Sequence, residues 1–584
     1  MTVSTSDGVA EEILGSAAVA ESVPDPAGSG RRTWRRLRPH PSLILVLLLG
    51  LLVVPPLVIM AWQSVNSDPI LGRTGFFNAY QALFDETDLV RSGKGTLIFS
   101  VGASFCALVF GMTLAWLVAR TDMPAKWLAY LTAFLGFALP GMVKIIGWIL
   151  LFGPNNGLIN QFCRNHLAGT CDFNVQSMAG MILVESLLFT PMVFLMAVGP
   201  LRSIDPSLEE AAKVAGGGRL MVLRRVTLPL LWPTFASVFL LMAIRSVQSF
   251  EVPIFLGVPA NVHVFTADIY RGLHDSFIAD YASTSAYGVI LVLILGVLLL
   301  AQNRIVRASH KYQVVGGKSF RPTPMPLGKG KYAAIAFMIL LLLTYLVPVL
   351  AVFVASFQRN FGGTLSEWTT ANYHTLFNYP QFFTALRNSI SVGVLTATAA
   401  TALGALAAWV IVRRRGRTGV ALSQLAGLPL AVPGVVMGLA FLVLYLHVHI
   451  GVYGTIFGIT LAFLANYVPY AVRYAEPGLM GIKPELEEAA RVSGLKPARV
   501  LRHVTVPLVR APLLGAWSFI FFNSFRELSI AAFLVTATSP LLSTQLLDLF
   551  VNGNLSVVSA LGVVITVVSL VIGLATLRVT KLRF

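Results

Sequence analysis

The sequence predicts an all-α membrane protein with about twelve transmembrane helices, arranged as two parallel six-helix repeats. Hydrophobic residues make up 56% of the 584 residues, charged residues make up only 12%, and the mean hydropathy is +0.76. An ordinary soluble domain carries about 25% charged residues. The apolar residues also occur in runs of roughly 20, which are long enough to cross the hydrocarbon core of a bilayer. These observations exclude a water-soluble globular protein.

Twelve apolar runs are candidate transmembrane spans. They cover residues 42–62, 95–119, 127–152, 178–200, 231–257, 285–303, 332–356, 388–412, 420–445, 453–475, 512–536 and 557–577. Several of these runs contain proline, as at Pro140, Pro191, Pro433 and Pro469. A membrane helix tolerates proline where neighbouring groups satisfy the freed carbonyl, often beside a cavity.

The distribution of Lys and Arg predicts the orientation of these spans. The chain has 43 basic and 26 acidic residues, a net charge of +17. When the N-terminus is placed inside the cell, most basic residues fall in the terminal tails and in the loops near 120–126, 201–229, 304–331, 413–417 and 473–510. Cytoplasmic loops of membrane proteins carry such an excess. We therefore expect cytoplasmic N- and C-termini. This orientation accounts for the net positive charge without nucleic acid as a partner.

The chain divides into two hydrophobic halves. Residues 1–40 are predicted to be a disordered basic tail in the cytoplasm, and residues 41–303 form the first half. Residues 304–331 are polar, basic and rich in proline, which predicts a cytoplasmic linker before the second half, 332–584. Because each half contains an even number of spans, the two repeats have the same orientation, and their pseudo-twofold axis lies along the membrane normal.

A polar sequence recurs at matching positions in the two halves. Residues 205–216 are Asp-Pro-Ser-Leu-Glu-Glu-Ala-Ala-Lys-Val-Ala-Gly, and residues 483–494 are Lys-Pro-Glu-Leu-Glu-Glu-Ala-Ala-Arg-Val-Ser-Gly. We call them the first and second EAA segments. Such an internal repeat indicates a duplicated architecture.

Each EAA segment predicts a helix, a turn and a second helix. The proline at its second position suits the first turn of a helix, and the acidic residues that follow favour the positive end of the helix dipole. Gly216 and Gly494 permit the left-handed turn that ends this helix. Pro229 and Pro507 are expected to begin the next spans.

These motifs resemble the permease family of binding-protein-dependent ABC importers. The signature of that family is Glu-Ala-Ala followed by a Gly and, further along, by an apolar residue, Leu and Pro. The first copy has Leu228-Pro229, whereas the second copy departs at Val506, where Leu is usual. The resemblance covers both halves and implies the ABC importer permease fold in a bacterial plasma (inner) membrane.

The resemblance also implies the partners of the chain. Each EAA segment would dock on one of two copies of an ABC ATPase subunit, which would carry ATP and magnesium, while an extracytoplasmic substrate-binding protein delivers the cargo. The chain itself would be no enzyme and would hold no cofactor or metal. The residues that the resemblance assigns to ATPase coupling are Glu210, Ala211, Ala212, Gly216 and Pro229 in the first half, and Glu488, Ala489, Ala490, Gly494 and Pro507 in the second.

The fusion of both halves on one chain resembles ferric-iron and thiamine permeases in particular. The runs Ser249–Pro253 and Phe525–Ser529 are similar to sequences of ferric-type members. Ferric iron is therefore the expected cargo, and thiamine, an aminophosphonate or a polyamine are alternatives. A secondary transporter driven by an ion gradient is the competing class, but it would have no use for paired cytoplasmic EAA segments.

Several ionisable residues fall within the predicted spans, where each costs at least about 2.5 kcal/mol at the bilayer centre. Lys144 and Glu185 are expected at similar depth and could form a pair. Arg245 and Glu251 share one predicted span, and Arg526 and Glu527 occupy the equivalent span of the second half. These groups either neutralise one another between helices or line the translocation path, where Glu251 and Glu527 would ease the passage of a cation.

The remaining motifs predict no catalytic site. Gly316-Gly317-Lys318-Ser319 lacks the first glycine of a P-loop, because that position is Tyr312. The chain has three cysteines, which exclude a cysteine-based metal framework. Cys163 and Cys171 flank a loop that the predicted orientation places outside the cell, where a disulfide between them would persist.

Overall fold

A computed structural model describes residues 41–66, 76–85, 88–167, 172–203, 211–212, 214–275, 279–309, 324–362, 367–414, 416–449 and 451–580. The regular elements in these ranges are helices, and extended pairing is limited there to two isolated bridges, Thr121 with Met325 and Gln358 with Trp368. The predicted tail 1–40 and the central part of the predicted linker, 310–323, lie outside the described residues.

The first half contains eleven described helices. They are α1 (Pro41–Val65), α2 (Asn78–Asp85), α3 (Asp88–Arg120), α4 (Trp127–Ala138), α5 (Gly141–Phe152), α6 (Leu158–His166), α7 (Met178–Ser203), α8 (Arg219–Val222), α9 (Leu228–Val247), α10 (Phe265–His274) and α11 (Tyr281–Ser309). Two π-helical turns, Leu223–Thr227 and Pro253–Gly257, lie on either side of α9.

The second half repeats the order of the long helices. Its helices are α12 (Gly330–Ser356), α13 (Ala371–Phe377), α14 (Phe382–Arg413), α15 (Arg417–Gly427), α16 (Gly434–Val448), α17 (Ile456–Met480), α18 (Pro484–Val492), α19 (Pro497–Val500), α20 (Val506–Leu508), α21 (Arg510–Phe525), α22 (Ala531–Leu534), α23 (Leu542–Val551) and α24 (Leu555–Thr580). A 3-10 turn, Leu428–Ala431, follows α15, and a π-helical turn, Leu501–Thr505, follows α19.

The described helices confirm the predicted all-α fold with about twelve spans. Nine of them are long and apolar enough to cross a membrane, and the number rises to twelve when each of three bent helix pairs counts as one span. The bent pairs are α4 with α5, α15 with α16, and residues 498–508 with α21.

The bends correct four of the predicted spans. The runs 127–152 and 420–445 are not continuous helices, because the chain turns by 102° between α4 and α5 and by 105° between α15 and α16. Pro140 and Pro433 stand at these breaks in extended conformation. Proline removes a helix hydrogen bond and clashes with the preceding turn, so each span is divided there. The predicted runs 231–257 and 512–536 are also interrupted, since α9 ends at Val247 and α21 ends at Phe525.

Small residues allow the long helices of each half to pack closely. A Cβ at Gly111 in α3 would lie 2.5 Å from the Val193 side chain in α7, and a Cβ at Gly404 in α14 would lie 2.4 Å from Ala471 in α17. Small residues bring membrane helices into van der Waals contact where the hydrophobic effect gives no drive for association. The same helix pair therefore forms the centre of each half.

The first span of each half packs against the other half. Helix α1 contacts α15 and α16, and α12 contacts α4 and α5. A Cβ at Gly147 in α5 would lie 2.2 Å from the carbonyl oxygen of Pro348 in α12, and the buried Tyr345 hydroxyl donates to the Leu187 carbonyl. The bent spans of the two halves are therefore held by helices from the opposite half, and the space between the halves lies next to them.

Candidate functional site

The second EAA segment forms a helix and a tight turn, as the sequence predicts. Pro484 begins α18, and the side chains of Glu488 and Ala489 are exposed while Ala490 is half-buried. The turn at the end of α18 has two hydrogen bonds, from the Gly494 amide to the Arg491 carbonyl (2.9 Å) and from the Leu495 amide to the Ala490 carbonyl (3.2 Å). This pair of bonds is the Schellman motif, which requires a left-handed residue at the position of Gly494.

Gly494 and Gly216 have this left-handed conformation, with φ of +86° and +84°. In the first EAA segment, Ala211 and Ala212 are helical, and the Gly217 amide donates to the Ala212 carbonyl at 2.9 Å. The turn is therefore the same in both halves. Glu210 lies outside the described residues.

Both EAA segments present apolar side chains to solvent. Val492 is 89% exposed and Val214 is 90% exposed, and these two valines occupy matching positions in the repeat. Leu486, which lies on a different face of α18 from Val492, is also exposed. Large apolar side chains exposed on an otherwise polar segment are candidates for contact with another polypeptide.

When the bent pair 417–448 counts as one crossing, the two EAA segments fall at the same end of the helix bundle. The number of spans between them is even, counting 224–247, 281–306, 330–356, 382–413, the bent pair 417–448, and 456–480. We call this the coupling end. Pro229 lies in the first turn of α9, as expected, whereas Pro507 lies in the three-residue helix α20. The helical stretch 498–508, which contains α20, makes an angle of 79° with α21.

A cavity of about 860 Å³ separates the two halves within the bundle. Five of the six residues predicted for the translocation path line it, namely Glu185, Arg245, Glu251, Arg526 and Glu527. Lys144 is buried beside it in α5. The cavity wall also contains Tyr467, Tyr470, Asn466 and Asn523, so the polar part of its lining comes from both halves.

Glu251 and Glu527 occupy corresponding places beside the broken spans. A Cβ at Gly141, the first residue of α5, would lie 2.5 Å from the Glu251 Oε2 atom, and a Cβ at Gly434, the first residue of α16, would lie 3.5 Å from the Glu527 Oε1 atom. Each carboxylate therefore lies at the positive end of a half-helix, where the dipole favours negative charge. A side chain at Gly141 would displace the Glu251 carboxylate, whereas a side chain at Gly434 would press on the Ser529 side chain, whose Cβ would lie 2.9 Å away.

The two carboxylates differ in their hydrogen bonds. Glu527 accepts from the Tyr467 hydroxyl at 2.6 Å and from the amides of Ser529 at 3.0 Å and Ile530 at 3.3 Å. Glu251 has electrostatic interactions with Glu527, Arg526 and Lys144 but accepts no hydrogen bond from any residue that the structure describes. Glu527 therefore holds its own turn in place, whereas Glu251 faces the cavity without a protein donor.

Lys144 and Glu185, which the sequence allows to form a pair, do not contact each other in the structure. Lys144 donates to the Gly136 carbonyl at 2.7 Å and lies over the ring of Tyr345, while Glu185 interacts with the side chain of Ser249. The prediction assumed that both residues lie on continuous helices. Because the span breaks at Pro140, the Lys144 side chain contacts the Gly136 carbonyl and not Glu185.

The two arginines of the cavity have different surroundings. Arg245 donates to the Tyr470 hydroxyl at 3.2 Å and lies over its ring. Arg526 follows the end of α21 and interacts electrostatically with Glu251. Sequence reasoning did not identify Tyr467 and Tyr470 as cavity residues. Their position on either side of Pro469, in a span already marked by that proline, was the available signal.

The structure describes only one of the two cysteines of the predicted disulfide. Cys163 in α6 is buried and disulfide-bonded, and Cys106 is a free thiol. Cys171 lies outside the described residues. The pairing of Cys163 with Cys171 stays a prediction.

The duplicated helical halves, the paired EAA segments and the cavity between the halves define a transport permease. The family model of the binding-protein-dependent transport system inner membrane component matches residues 107–311 and 400–582, one match in each half. The chain belongs to this family. It is a multi-pass inner-membrane permease of an ABC importer, with both permease domains on one polypeptide.

Similar curated proteins include ferric-iron permeases. The chain is 27% identical over 489 residues to the ferric transport system permease protein FbpB of Actinobacillus pleuropneumoniae, covering 83% of this chain and 70% of that protein. It is 25% identical over 498 residues to a putative ferric transport system permease protein FbpB 1 of Haemophilus influenzae, covering 85% and 77%. A spermidine/putrescine transport system permease protein PotC of Escherichia coli K12 is 25% identical over 238 residues, covering 40% of this chain and 89% of that protein.

Proposed function

We propose that this permease imports ferric iron and is driven by two ATPase subunits that dock on its EAA segments. The observation that carries the coupling role is the pair of identical turns at Gly216 and Gly494 at one end of the bundle. Each turn is followed by a π-helical turn and the next span, so a force applied to an EAA segment acts on the start of that span.

The exposed apolar residues of the EAA segments supply the contact surface. Val214 and Val492 have no covering element among the described residues, and a partner that buries them gains free energy from the area removed from water. A pair of matching surfaces fits two copies of one ATPase subunit, which would carry ATP and magnesium. In this arrangement the coupling end faces the cytoplasm, together with both termini.

The cavity supports a charged cargo. Three carboxylates line it, and Glu251 accepts no hydrogen bond from a described residue. Hard oxygen ligands suit ferric iron, and a single available carboxylate in a cavity binds weakly enough for release. The ferric permeases among the similar proteins support the same cargo. The similarity to a spermidine/putrescine permease keeps a polyamine as the second candidate, and thiamine and an aminophosphonate are the remaining alternatives.

The test is reconstitution of the permease with an ABC ATPase and a substrate-binding protein from the same cell in liposomes. We expect ATP hydrolysis to be stimulated by the binding protein loaded with ferric iron, and radioactive iron to accumulate inside only when ATP is present. Stimulation by a polyamine-loaded binding protein alone would refute the iron assignment. Uptake without an added ATPase would refute coupling and would favour a secondary transporter.

A further inference from the structure

One acidic residue of the second EAA segment is buried although its neighbours are exposed. Glu487 is 2% exposed, whereas Glu485 and Glu488 on the same helix are exposed to solvent. A buried carboxylate is costly unless it is paired and hydrogen-bonded. Glu487 precedes the Glu-Ala-Ala run itself, so the motif does not account for its burial.

Glu487 is bound by groups from three separate elements. Its Oε1 atom lies 3.3 Å from the Arg413 Nε atom at the end of α14, and it accepts a hydrogen bond from the Thr505 hydroxyl at 3.0 Å. Its Oε2 atom lies 3.7 Å from a guanidinium nitrogen of Arg491 in the next turn of α18. Arg413 also donates to the Ile482 carbonyl at 3.0 Å, just before α18 begins.

These contacts join the EAA helix directly to two spans. Arg413 is the last residue of the span α14, and Thr505 ends the π-helical turn that precedes α20 and α21. A π-helical turn inside a helical region often marks a functional site. Without Glu487, α18 would be joined to the spans mainly through its flanking loops, which deform more easily than a buried ion pair.

The first half has the same elements at the matching places. Arg120 is the last residue of α3, Thr227 ends the π-helical turn before α9, and both are buried. Glu209 is the residue that matches Glu487 in the repeat, and it lies outside the described residues. The two described positions, Arg120 and Thr227, are therefore features of the duplicated unit.

We propose that Glu487 is a positioning residue that transmits movement of the second EAA segment to the spans through Arg413 and Thr505. This role rests on the proposed docking of an ATPase on the EAA segments. A displaced α18 then carries the end of α14 and the start of the α20–α21 region with it as one body. Loss of the Glu487 carboxylate leaves the docking surface intact but allows α18 to move without the spans.

The experiment compares Glu487→Gln with Glu485→Gln, which removes the same charge from an exposed position of the same helix. The reconstituted permease, ATPase and binding protein are assayed for ATPase binding, for ATP hydrolysis and for cargo transported per ATP hydrolysed. We expect Glu487→Gln to bind the ATPase and to hydrolyse ATP, while cargo per ATP falls about 5-fold or more, the lower range of a typical coupling between sites. Because Glu485 lies on the proposed docking segment, Glu485→Gln serves as the control for the ratio alone, and we expect it to keep the cargo transported per ATP of the wild type.

A second variant distinguishes a loss of coupling from a folding defect in Glu487→Gln. Thr505→Val removes one donor but leaves the ion pair with Arg413, so we expect it to fold and to show a smaller fall in cargo per ATP. If hydrolysis and transport fall together in both variants, with an unchanged ratio, Glu487 serves stability alone and the proposal is wrong. An unchanged ratio in well-folded Glu487→Gln would also overturn it. Failure of the wild-type permease to bind any ATPase would instead refute the proposed coupling function.

Discussion

Replacement of Gly494 is expected to uncouple transport through backbone strain alone. The residue has φ of +86°, and a Cβ placed on it would have no atom of the described structure within 4 Å. An added side chain therefore meets no steric barrier in the free permease. The energetic cost arises only because L-residues disfavour the left-handed region.

The cost can be stated for a series of residues. A left-handed conformation costs a non-glycine residue roughly 1–2 kcal/mol. That energy reduces the population of the native turn by a factor of about 5–30. Asn tolerates this region better than Ala, and a β-branched residue tolerates it worse. We therefore expect cargo transported per ATP to decrease in the order Gly494, Asn, Ala, Val.

The assay is ATP-driven uptake in liposomes, with ATP hydrolysis and thermal stability measured on the same preparations. Because the turn is exposed and isolated from the core, the melting temperature should change little along the series. Changing Gly216 and Gly494 together should add the two effects, since they lie in separate halves. If Gly494→Val, or the double variant with Val at both positions, transports as well as the wild type, the reasoning from the turn is refuted.

Three further predictions concern the cavity and the disulfide. Glu527→Ala should lower the free energy of unfolding by about 2 kcal/mol or more, because hydrogen bonds to a charged group are lost. Glu251→Ala should keep the melting temperature of the wild type and lower cargo uptake. Equal losses of stability in the two variants would contradict the difference between the two carboxylates. Gly141→Ala should lower uptake in the same way as Glu251→Ala, because its Cβ would lie 2.5 Å from the Glu251 carboxylate, and normal uptake in this variant would contradict it. Thiol labelling of the denatured chain without reductant should find Cys106 free and Cys163 blocked; labelling of Cys163 before reduction would show that no disulfide forms.

Sequence reasoning predicts the spans and the repeat well because both depend on patterns along the chain. Hydrophobic length alone predicts twelve spans, in agreement with the nine to twelve that the described helices allow. The recurrence of Gly216 and Gly494 predicts two left-handed turns, which the structure has. Such signals require no knowledge of which helices pack together.

The breaks at Pro140 and Pro433 were marked by the sequence, but their angles were not. A proline shows that a helix can divide, whereas the turn of 102° depends on α12 and the other helices that pack around α4 and α5. The depth of Lys144 was consequently estimated along a continuous helix, and the pair with Glu185 that this depth allowed does not form.

The partners of Glu487 were also beyond sequence reasoning. Arg413 and Thr505 lie on other elements, and their distances to Glu487 in the sequence follow no period. Within the Glu-Glu pair of the repeat, the sequence cannot show which carboxylate is buried. The packing of α18 against the end of α14 decides this.

Cysteine cross-linking to the ATPase tests the central claim most directly. Ala211→Cys and Ala489→Cys, at matching exposed positions of the two EAA segments, would be compared with Asn156→Cys in the loop between the third and fourth spans, all with Cys106 replaced by Ser. With a short bifunctional maleimide, we predict that both EAA variants are joined to an ATPase subunit and that the Asn156 variant is not. An ATPase joined through Asn156→Cys, with neither EAA variant linked, would contradict the account.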